Sequence, residues 1–264
     1  MQRLSPQDLA DIAKARRLIE EPGLAIQAAN LLGAPIEHVL AKRLPKRATA
    51  LIDQAATKAV TGAFNAAVAT LRTDSEGTPA RRWLHRALTI GAGAAGGFFG
   101  WAGLAIELPV TTTLILRSIA DIAREEGESP HDVDTRLACI EVLALGGARS
   151  DDDAAESGYF ATRAALAQQI SAVTKHVAKH GLAGGGAPVV VRLINSIASR
   201  FSVPVSQKVL AEAVPVIGAV AGASLNAIFI AHFQKAAQGH FIIRRLERTR
   251  GAAVVRKAYD ELGA

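Results

Sequence analysis

Two long stretches without Asp, Glu, Lys or Arg constrain this chain more than any other feature of its sequence. Residues 87–106 form an uncharged stretch of 20 residues, and residues 213–234 form one of 22. Roughly 20 mostly apolar residues are enough for one helix to cross the hydrocarbon core of a bilayer. Each stretch is therefore long enough to be either a membrane-spanning helix or a buried central helix of a soluble bundle.

The spacing of glycines within both stretches predicts close helix packing. Glycines four residues apart lie on one face of a helix, where the missing side chains let a second backbone approach. We therefore expect the two stretches to pack on each other as a hairpin-like core. The same glycines, with Pro215, make both stretches less apolar than a typical membrane-spanning helix, so the choice between membrane and soluble core stays open. The packing glycines are Gly93, Gly97, Gly100, Gly218 and Gly222.

Basic residues flank both stretches at their outer ends. Clustered arginines beside an apolar helix are typical of segments that meet the anionic headgroups on the cytoplasmic side of a membrane. We therefore expect these side chains to bind anionic lipid or a membrane partner, whether or not the helices insert. The flanking residues are Arg81, Arg82 and Arg86 before the first stretch, and Arg244, Arg245 and Arg248 after the second.

The rest of the sequence predicts helices throughout, because helix caps and stops are frequent and alternating strand patterns are rare. Ser5-Pro6 followed by Asp8 is typical of a capped helix start. We predict an all-α, multi-helix bundle with the two glycine- and alanine-rich apolar helices at its centre. The predicted helices span residues 6–20, 24–32, 35–43, 46–72, 79–105, 109–126, 130–146, 151–180, 188–201 and 204–248.

A polar loop at residues 72–78 suggests an N-terminal helical subdomain, residues 1–75, before a larger core, residues 76–264, within one continuous domain. The net charge of +6 permits anionic partners. Aromatic residues make up only 5% of the chain, so the basic clusters lack the stacking platforms typical of nucleic-acid binding. The N-terminus has no apolar signal segment, and the single Cys139 precludes an intrachain disulfide. We therefore expect a cytoplasmic protein with a core thiol.

Two motifs resemble a dinucleotide-binding site and a zinc site, but their sequence context does not fit either site. Residues 91–96 match G-x-G-x-x-G, but that string binds a dinucleotide only between a strand and a helix, and here it follows a helical pattern. His176 and His180 share a helix face, yet Val177 replaces the glutamate of a zincin motif, and no third ligand accompanies the pair. The sequence therefore predicts neither a cofactor nor a metal site.

A candidate polar cluster remains near the apolar stretches, formed by Glu107, Arg117, Asp121 and Asn226. We favour a structural role for Glu107, as a carboxylate near the start of a helix that begins at Pro109. The alternative is an ion pair with Arg117 or another cation inside the bundle, which would make it a functional candidate. Arg117 and Asp121 lie four residues apart on one helix face. Asn226 is predicted to hydrogen-bond between helices.

Three blocks of sequence resemble the EcsC protein family. They are residues 93–127, which include Glu107, Arg117 and Asp121, residues 214–226, which include Asn226, and, less distinctly, residues 156–163, which include Tyr159 and Arg163. The resemblance covers roughly residues 80–250. It implies a bacterial protein of the kind named after a gene that neighbours an ABC-type exporter, and hence membrane or transporter association, without implying a reaction.

Three functions are compatible with these observations. The leading hypothesis is a membrane-associated helical accessory protein at the inner face of the cell membrane, linked to an ABC-type exporter. The second is a soluble helical hydrolase that uses Glu107, Arg117 and Asp121. The third is a soluble module that binds and regulates a partner protein.

Overall fold

The computed structural model describes residues 4–20, 24–32, 44–69, 100–147, 158–180, 187–212 and 219–262. These residues form helices without any strand, which confirms the all-α prediction within the described ranges. The helices are α1 (Pro6–Ile19), α2 (Leu24–Leu32), α3 (Lys46–Ala69), α4 (Gly100–Glu125), α5 (Val133–Leu145), α6 (Gly158–His180), α7 (Pro188–Glu212), α8 (Ala219–Arg250) and α9 (Ala252–Glu261).

Helix α1 begins at the cap that its sequence predicts. The hydroxyl of Ser5 accepts a hydrogen bond from the backbone N–H of Asp8 at 3.1 Å, and the Asp8 carboxylate accepts one from the backbone N–H of Ser5 at 2.7 Å. This reciprocal capping box satisfies two donors that the first turn would otherwise leave unpaired. Pro6 occupies the first turn, where its missing N–H is not needed.

The predicted helix breaks before Pro109 and Pro204 are wrong, because α4 and α7 continue through both prolines. A proline inside a helix removes one backbone hydrogen bond and costs about 3 kcal/mol. Both helices bury side chains on either side of the proline, such as Leu108 and Ile115 in α4. Burying a side chain of this size contributes roughly 2 kcal/mol, so a few such residues offset the cost.

The last predicted helix, residues 204–248, also needs correction. Residues 204–212 belong to α7, and residues 219–248 belong to α8, which continues to Arg250. Residues 213–218, with Pro215, lie outside the described ranges. Gly251 has a φ of 95°, a conformation that favours glycine, and it turns the chain into α9. The sequence analysis did not predict α9.

The second apolar stretch is a central helix where the structure describes it. Helix α8 packs against α1, α2, α4, α5, α7 and α9. Phe229 and Phe233 are both fully buried, and their rings contact each other and the ring of Phe201 with centroids 5.2–6.2 Å apart. This burial supports the central-core interpretation of the stretch. No helix within the described ranges combines the length and apolar composition that crossing a bilayer requires.

The glycine-packing prediction is only partly covered by the described residues. Gly93, Gly97 and Gly218 lie outside them, as do Arg81, Arg82 and Arg86 of the first basic flank. Gly100 begins α4 and Gly222 lies within α8, and these two helices pack against each other.

Among the described glycines, close approach of another helix backbone is seen at two positions that the prediction did not include. A Cβ atom at Gly147 would overlap the backbone carbonyl of Arg200, and one at Gly239 would meet the carbonyl oxygen of Ala15 at 2.8 Å. Gly147 therefore fixes the contact between the end of α5 and α7, and Gly239 fixes the contact between α8 and α1.

Candidate functional site

Three groups of ionisable side chains join helices that are distant in sequence. The first is the lysine triad, formed by Glu107 of α4 with Lys208 and Glu212 of α7. The Lys208 ammonium donates to Oε1 of Glu107 at 2.9 Å and lies 3.3 Å from Oε1 of Glu212. It also lies 5.6 Å from the ring centroid of Phe229 on α8. The triad therefore ties α4, α7 and α8 together around one buried cation.

The charge of Lys208 is compensated although its side chain is only 3% exposed. Burial opposes the charged form, but the carboxylates of Glu212 and Glu107 together outweigh it and raise the pKa of Lys208. Desolvation also raises the pKa of Glu212, against the attraction of Lys208, although the Glu212 side chain is 33% exposed. The two carboxylates keep Lys208 protonated and neutralise its charge. The ammonium is therefore bound by partners within the chain.

Glu107 has a different role from the one that its sequence context favours. It lies inside α4, so the interpretation as a carboxylate at a helix start is wrong. The alternative, an ion pair with a cation in the bundle, is what the structure shows, with Lys208 in place of Arg117.

Two members of the candidate polar cluster, Arg117 and Asp121, lie apart from Glu107. With a rise of about 1.5 Å per residue, Arg117 is about 15 Å along α4 from Glu107, and Asp121 is about 21 Å away. Arg117 is exposed, whereas Asp121 is buried and lies 3.4 Å from Arg124. Asn226 is 1% exposed within α8. Arg117 and Asp121 therefore do not share a site with Glu107.

The second group is the arginine layer, in which the last two turns of α8 meet carboxylates from other elements. Arg244 donates to Glu128 at 2.9 Å and to Asp134 at 3.1 Å, and Arg248 pairs with the same Glu128. Burial alone would raise the pKa of Glu128, but the hydrogen bond and charge of Arg244 lower it overall. The hydroxyl of Thr135 donates a further hydrogen bond to Glu128 at 2.9 Å.

The neighbouring arginines of this layer reach back to α1. Arg245 bridges Asp11 at 2.9 Å and Glu126 at 2.8 Å, and Arg250 lies 3.0 Å from Asp8. The arginines predicted to flank the second apolar stretch therefore take their counterions from within the chain. Their charges hold α8 against α1 and against the connection between α4 and α5.

The third group is a buried chain of polar side chains, the Tyr159–His240–Glu141 chain. The phenol oxygen of Tyr159 lies 3.0 Å from Nδ1 of His240, and Nε2 of His240 lies 3.9 Å from Oε2 of Glu141. The three residues belong to α6, α8 and α5, and each is at most 8% exposed. Burial raises the pKa of Glu141 to about 7, and burial also lowers the pKa of His240 well below its ordinary value.

An ion pair and an aromatic cluster enclose this chain. Arg163 donates two hydrogen bonds to Glu247, at 2.8 and 2.9 Å, and its guanidinium lies 5.4 Å from the ring centroid of Tyr159. Tyr259 of α9 stacks on Tyr159 with ring centroids 5.9 Å apart. Helix α9 therefore contributes directly to the packing around the chain.

Sequence reasoning reached only part of this arrangement. Tyr159 and Arg163 fall within the third block of family resemblance, and their spacing of four residues places them on one helix face. Glu141 and His240 gave no recognisable signal, because no Asp, Glu, Lys or Arg lies within three positions of either residue. The sequence analysis missed Lys208 and Glu212, although their spacing of four residues is a local signal that could have indicated this ion pair.

The residues set aside by the sequence analysis do not form a further site in the described ranges. The rings of His176 and His180 stack with centroids 4.7 Å apart, and no group of three His, Cys, Asp or Glu side chains there is arranged to hold a metal ion. Cys139 is buried, and burial raises the pKa of its thiol to about 12. A thiol with that pKa is unreactive at neutral pH.

Comparison with known proteins gives one result. No curated protein and no solved structure matches the chain. The model of the EcsC protein family matches residues 7–246, a range that includes the lysine triad, the Tyr159–His240–Glu141 chain, and Arg244 and Arg245 of the arginine layer. Helix α9 lies beyond the matched range. Since the match extends over most of its length, the chain belongs to the EcsC protein family.

Proposed function

We propose that this protein is a non-enzymatic helical accessory protein that binds the anionic inner surface of the cell membrane. The observation that carries the proposal is the outward face of α3. This face combines exposed basic side chains with an exposed leucine, and both components favour contact with anionic lipid.

Helix α3 divides cleanly into a buried and an exposed face. Ile52, Ala59 and Val60 are fully buried, and α3 packs through this side against α4 and α7. Arg47, Leu51 and Lys58 are exposed, and their spacing of four and seven residues places them along one side of the helix. Leu51 is 48% exposed, which leaves an apolar side chain between two cations.

The cations of α3 are not neutralised by neighbouring acids. Lys46, Arg47 and Lys58 form no ion pair within the described part of the chain, and Asp53 is the single acid in the helix. The same holds for exposed cations on other helices. They are Lys14, Arg17, Arg117, Lys175, Lys179 and Arg192. On α3 the unpaired charges lie beside the exposed Leu51, and this combination of cations with an apolar side chain attracts anionic lipid.

The ion pairs of the arginine layer change where we place the lipid contact. Arg244, Arg245 and Arg248 are held by carboxylates, and separating them would cost several favourable contacts. The unpaired cations of α3 need no such separation. We therefore assign the membrane surface to α3 and extend the proposal to a membrane protein partner of the ABC-exporter type, which family membership supports.

The structure offers no support for the hydrolase hypothesis. Glu107 is held by Lys208, and Arg117 and Asp121 lie about 15 and 21 Å away along α4. Groups that act on one bond must lie within a few ångströms of it.

Flotation of the full-length protein with lipid vesicles tests the proposal. Vesicles of phosphatidylcholine alone are compared with vesicles that also contain phosphatidylglycerol, at low and high salt. We expect flotation with the anionic vesicles only, and loss of flotation as salt increases, because the attraction is electrostatic.

Two double variants with the same change in net charge locate the surface. Arg47→Glu/Lys58→Glu is expected to weaken binding at least tenfold, because each basic residue near the surface contributes about 1 kcal/mol. Lys175→Glu/Lys179→Glu on α6 is the matched control and is expected to bind nearly as well as the wild type. An equal loss in both variants, or no flotation of the wild type at low salt, contradicts the proposal.

A further inference from the structure

We propose that Glu141 and His240 form a buried binding site for a single proton, held between α5 and α8. This inference is independent of the proposed membrane contact. Its basis is the 3.9 Å separation of Nε2 of His240 from Oε2 of Glu141, with the histidine fully buried and the glutamate 5% exposed. Nε2 of His240 has no hydrogen-bond partner in the described part of the chain.

The hydrogen bond from Tyr159 fixes the tautomer of the histidine. The phenol hydroxyl of Tyr159 is buried, and its one polar contact in the described ranges is Nδ1 of His240, at 3.0 Å. If Nδ1 carried the proton, the phenol O–H would be left without an acceptor, which is costly for a buried group. Tyr159 therefore donates to Nδ1, and the neutral imidazole carries its hydrogen on Nε2, facing Glu141.

In the part of the chain that the structure describes, the charged groups near the pair are bonded to other partners. Arg163 on α6 is held by both oxygens of Glu247. Arg244 on α8 is shared between Glu128 and Asp134 of the arginine layer. From α9, Tyr259 is the titratable residue that faces the chain, and its ring stacks on the ring of Tyr159. An ionised Glu141 would therefore be a buried carboxylate whose nearest potential cation is His240 itself.

Burial favours the electrically neutral state of this pair. It raises the pKa of Glu141 from 4.5 to about 7 and lowers the pKa of His240 well below 6.5. The folded protein thus holds one proton on Glu141 and a neutral imidazole up to about neutral pH. In the unfolded chain between about pH 4.5 and 6.5, the histidine holds the proton and the glutamate is ionised.

The proton is on Glu141 in the folded protein and on His240 in the unfolded chain, and this difference sets how the pair's contribution to stability varies with pH. The pair binds one proton in both the folded and the unfolded state between about pH 4.5 and 6.5, so its contribution to stability is nearly flat there. Above about pH 6.5 the unfolded chain releases its proton while the folded protein still holds one. The pair therefore favours the folded protein less as the pH rises toward 7, and above 7 the fold contains a buried carboxylate charge.

Two substitutions that each remove one partner separate the contributions. We compare chemical unfolding of the wild type, Glu141→Gln and His240→Asn between pH 5 and 8.5. Relative to the wild type, Glu141→Gln gains stability as the pH rises from 5 to 7, because it removes a group that must be kept protonated. His240→Asn gains stability relative to the wild type as the pH falls below 6.5, because it removes a group that must be kept neutral.

The expected size of each effect is a change of up to tenfold per pH unit in the unfolding constant, relative to the wild type and with opposite sign in the two variants. Exposed residues provide matched controls. Asp53→Asn and His131→Asn remove a carboxylate and an imidazole outside the pair. For each control, the ratio of its unfolding constant to that of the wild type is expected to stay nearly constant with pH. Two slopes of the same sign, or flat ratios for both core variants, overturn the proposal.

A measurement on the wild type keeps the proposal testable if a core variant does not fold. Nitrogen NMR of the histidine side chains distinguishes the two neutral tautomers from the imidazolium. We expect the His240 ring to stay neutral, with its hydrogen on Nε2, in the folded protein from pH 5 to 8. A ring that titrates with an ordinary midpoint near pH 6.5, or that carries its hydrogen on Nδ1, overturns the proposal.

Discussion

The Lys208 ammonium and the Glu107 carboxylate form a direct hydrogen bond, although 101 residues separate them in the chain. The bond links α4 to α7 at a point where the described residues provide no other cation for Glu107. The lysine is nearly inaccessible to solvent, and the glutamate side chain is 12% exposed. The contact is therefore a long-range restraint on the bundle, and its removal has a predictable cost.

We expect Lys208→Met to destabilise the protein by about 3 kcal/mol, because it leaves the two carboxylates of the lysine triad without their cation. Adding Glu107→Gln to this variant should recover part of the loss. Urea unfolding at pH 7 measures both values. Lys257→Met is the control: this lysine is 77% exposed and pairs with Glu261, and its loss is expected to cost less than about 1 kcal/mol. Equal losses in the two lysine variants contradict the role of the triad.

A pair of glycine substitutions tests the close contact between α5 and α7. Gly147→Ala places a Cβ atom against the backbone of Arg200, which cannot move away as a side chain could. We expect a loss of about 2 kcal/mol, in the range typical of overpacking. Gly62→Ala lies on the exposed face of α3 with no atom within 4 Å of its Cβ, so it should instead gain up to about 1 kcal/mol. Thermal unfolding of both variants shows whether each one gains or loses stability. A Gly147→Ala variant as stable as the wild type would show that α5 and α7 can move apart at this contact.

The Glu128 carboxylate pairs with two arginines of α8, so the stability lost when it is removed should depend on pH. Glu128→Gln is expected to cost about 2 kcal/mol at pH 7, because it weakens hydrogen bonds to two arginines. The pKa of Glu128 is lowered in the folded protein, so its contribution is present above about pH 4.5 and is lost as the pH falls further. The difference between wild type and variant should therefore shrink from pH 7 to pH 3.5.

Unfolding curves at pH 7, 5 and 3.5 measure this trend. Glu261→Gln, at a carboxylate that is 65% exposed, serves as the control and is expected to change stability little at any of these values. A difference for Glu128→Gln that stays constant or grows toward pH 3.5 would be incompatible with a carboxylate stabilised by Arg244.

Cys139 provides a chemical test of core integrity. Its thiol is 4% exposed, and burial raises its pKa to about 12, so the reactive thiolate is scarce at pH 8. We expect a thiol reagent to label the folded protein at a small fraction of the rate seen in denaturant. The rate of labelling against denaturant concentration measures how often α5 opens. Rapid labelling of the folded protein would show that this part of the core is accessible.

The sequence by itself determined the features that depend on residues close together in the chain. The capping box of α1 needs only Ser5 and Asp8, three residues apart, and their side chains bond the backbone of the same turn. The helical periodicity, the buried second apolar stretch and the family membership follow from similar local patterns. These signals were sufficient for the all-α fold, because helix hydrogen bonds are local.

Only the tertiary structure decided which charged residues meet. Arg245 pairs with Asp11 across 234 positions in the chain, and His240 meets Glu141 across the interface of two helices. A charge in a sequence shows that a counterion is needed but not which one, because the choice depends on how the helices pack. The same packing carries α4 through Pro109, since burial on both sides of the proline outweighs the one backbone hydrogen bond that it removes.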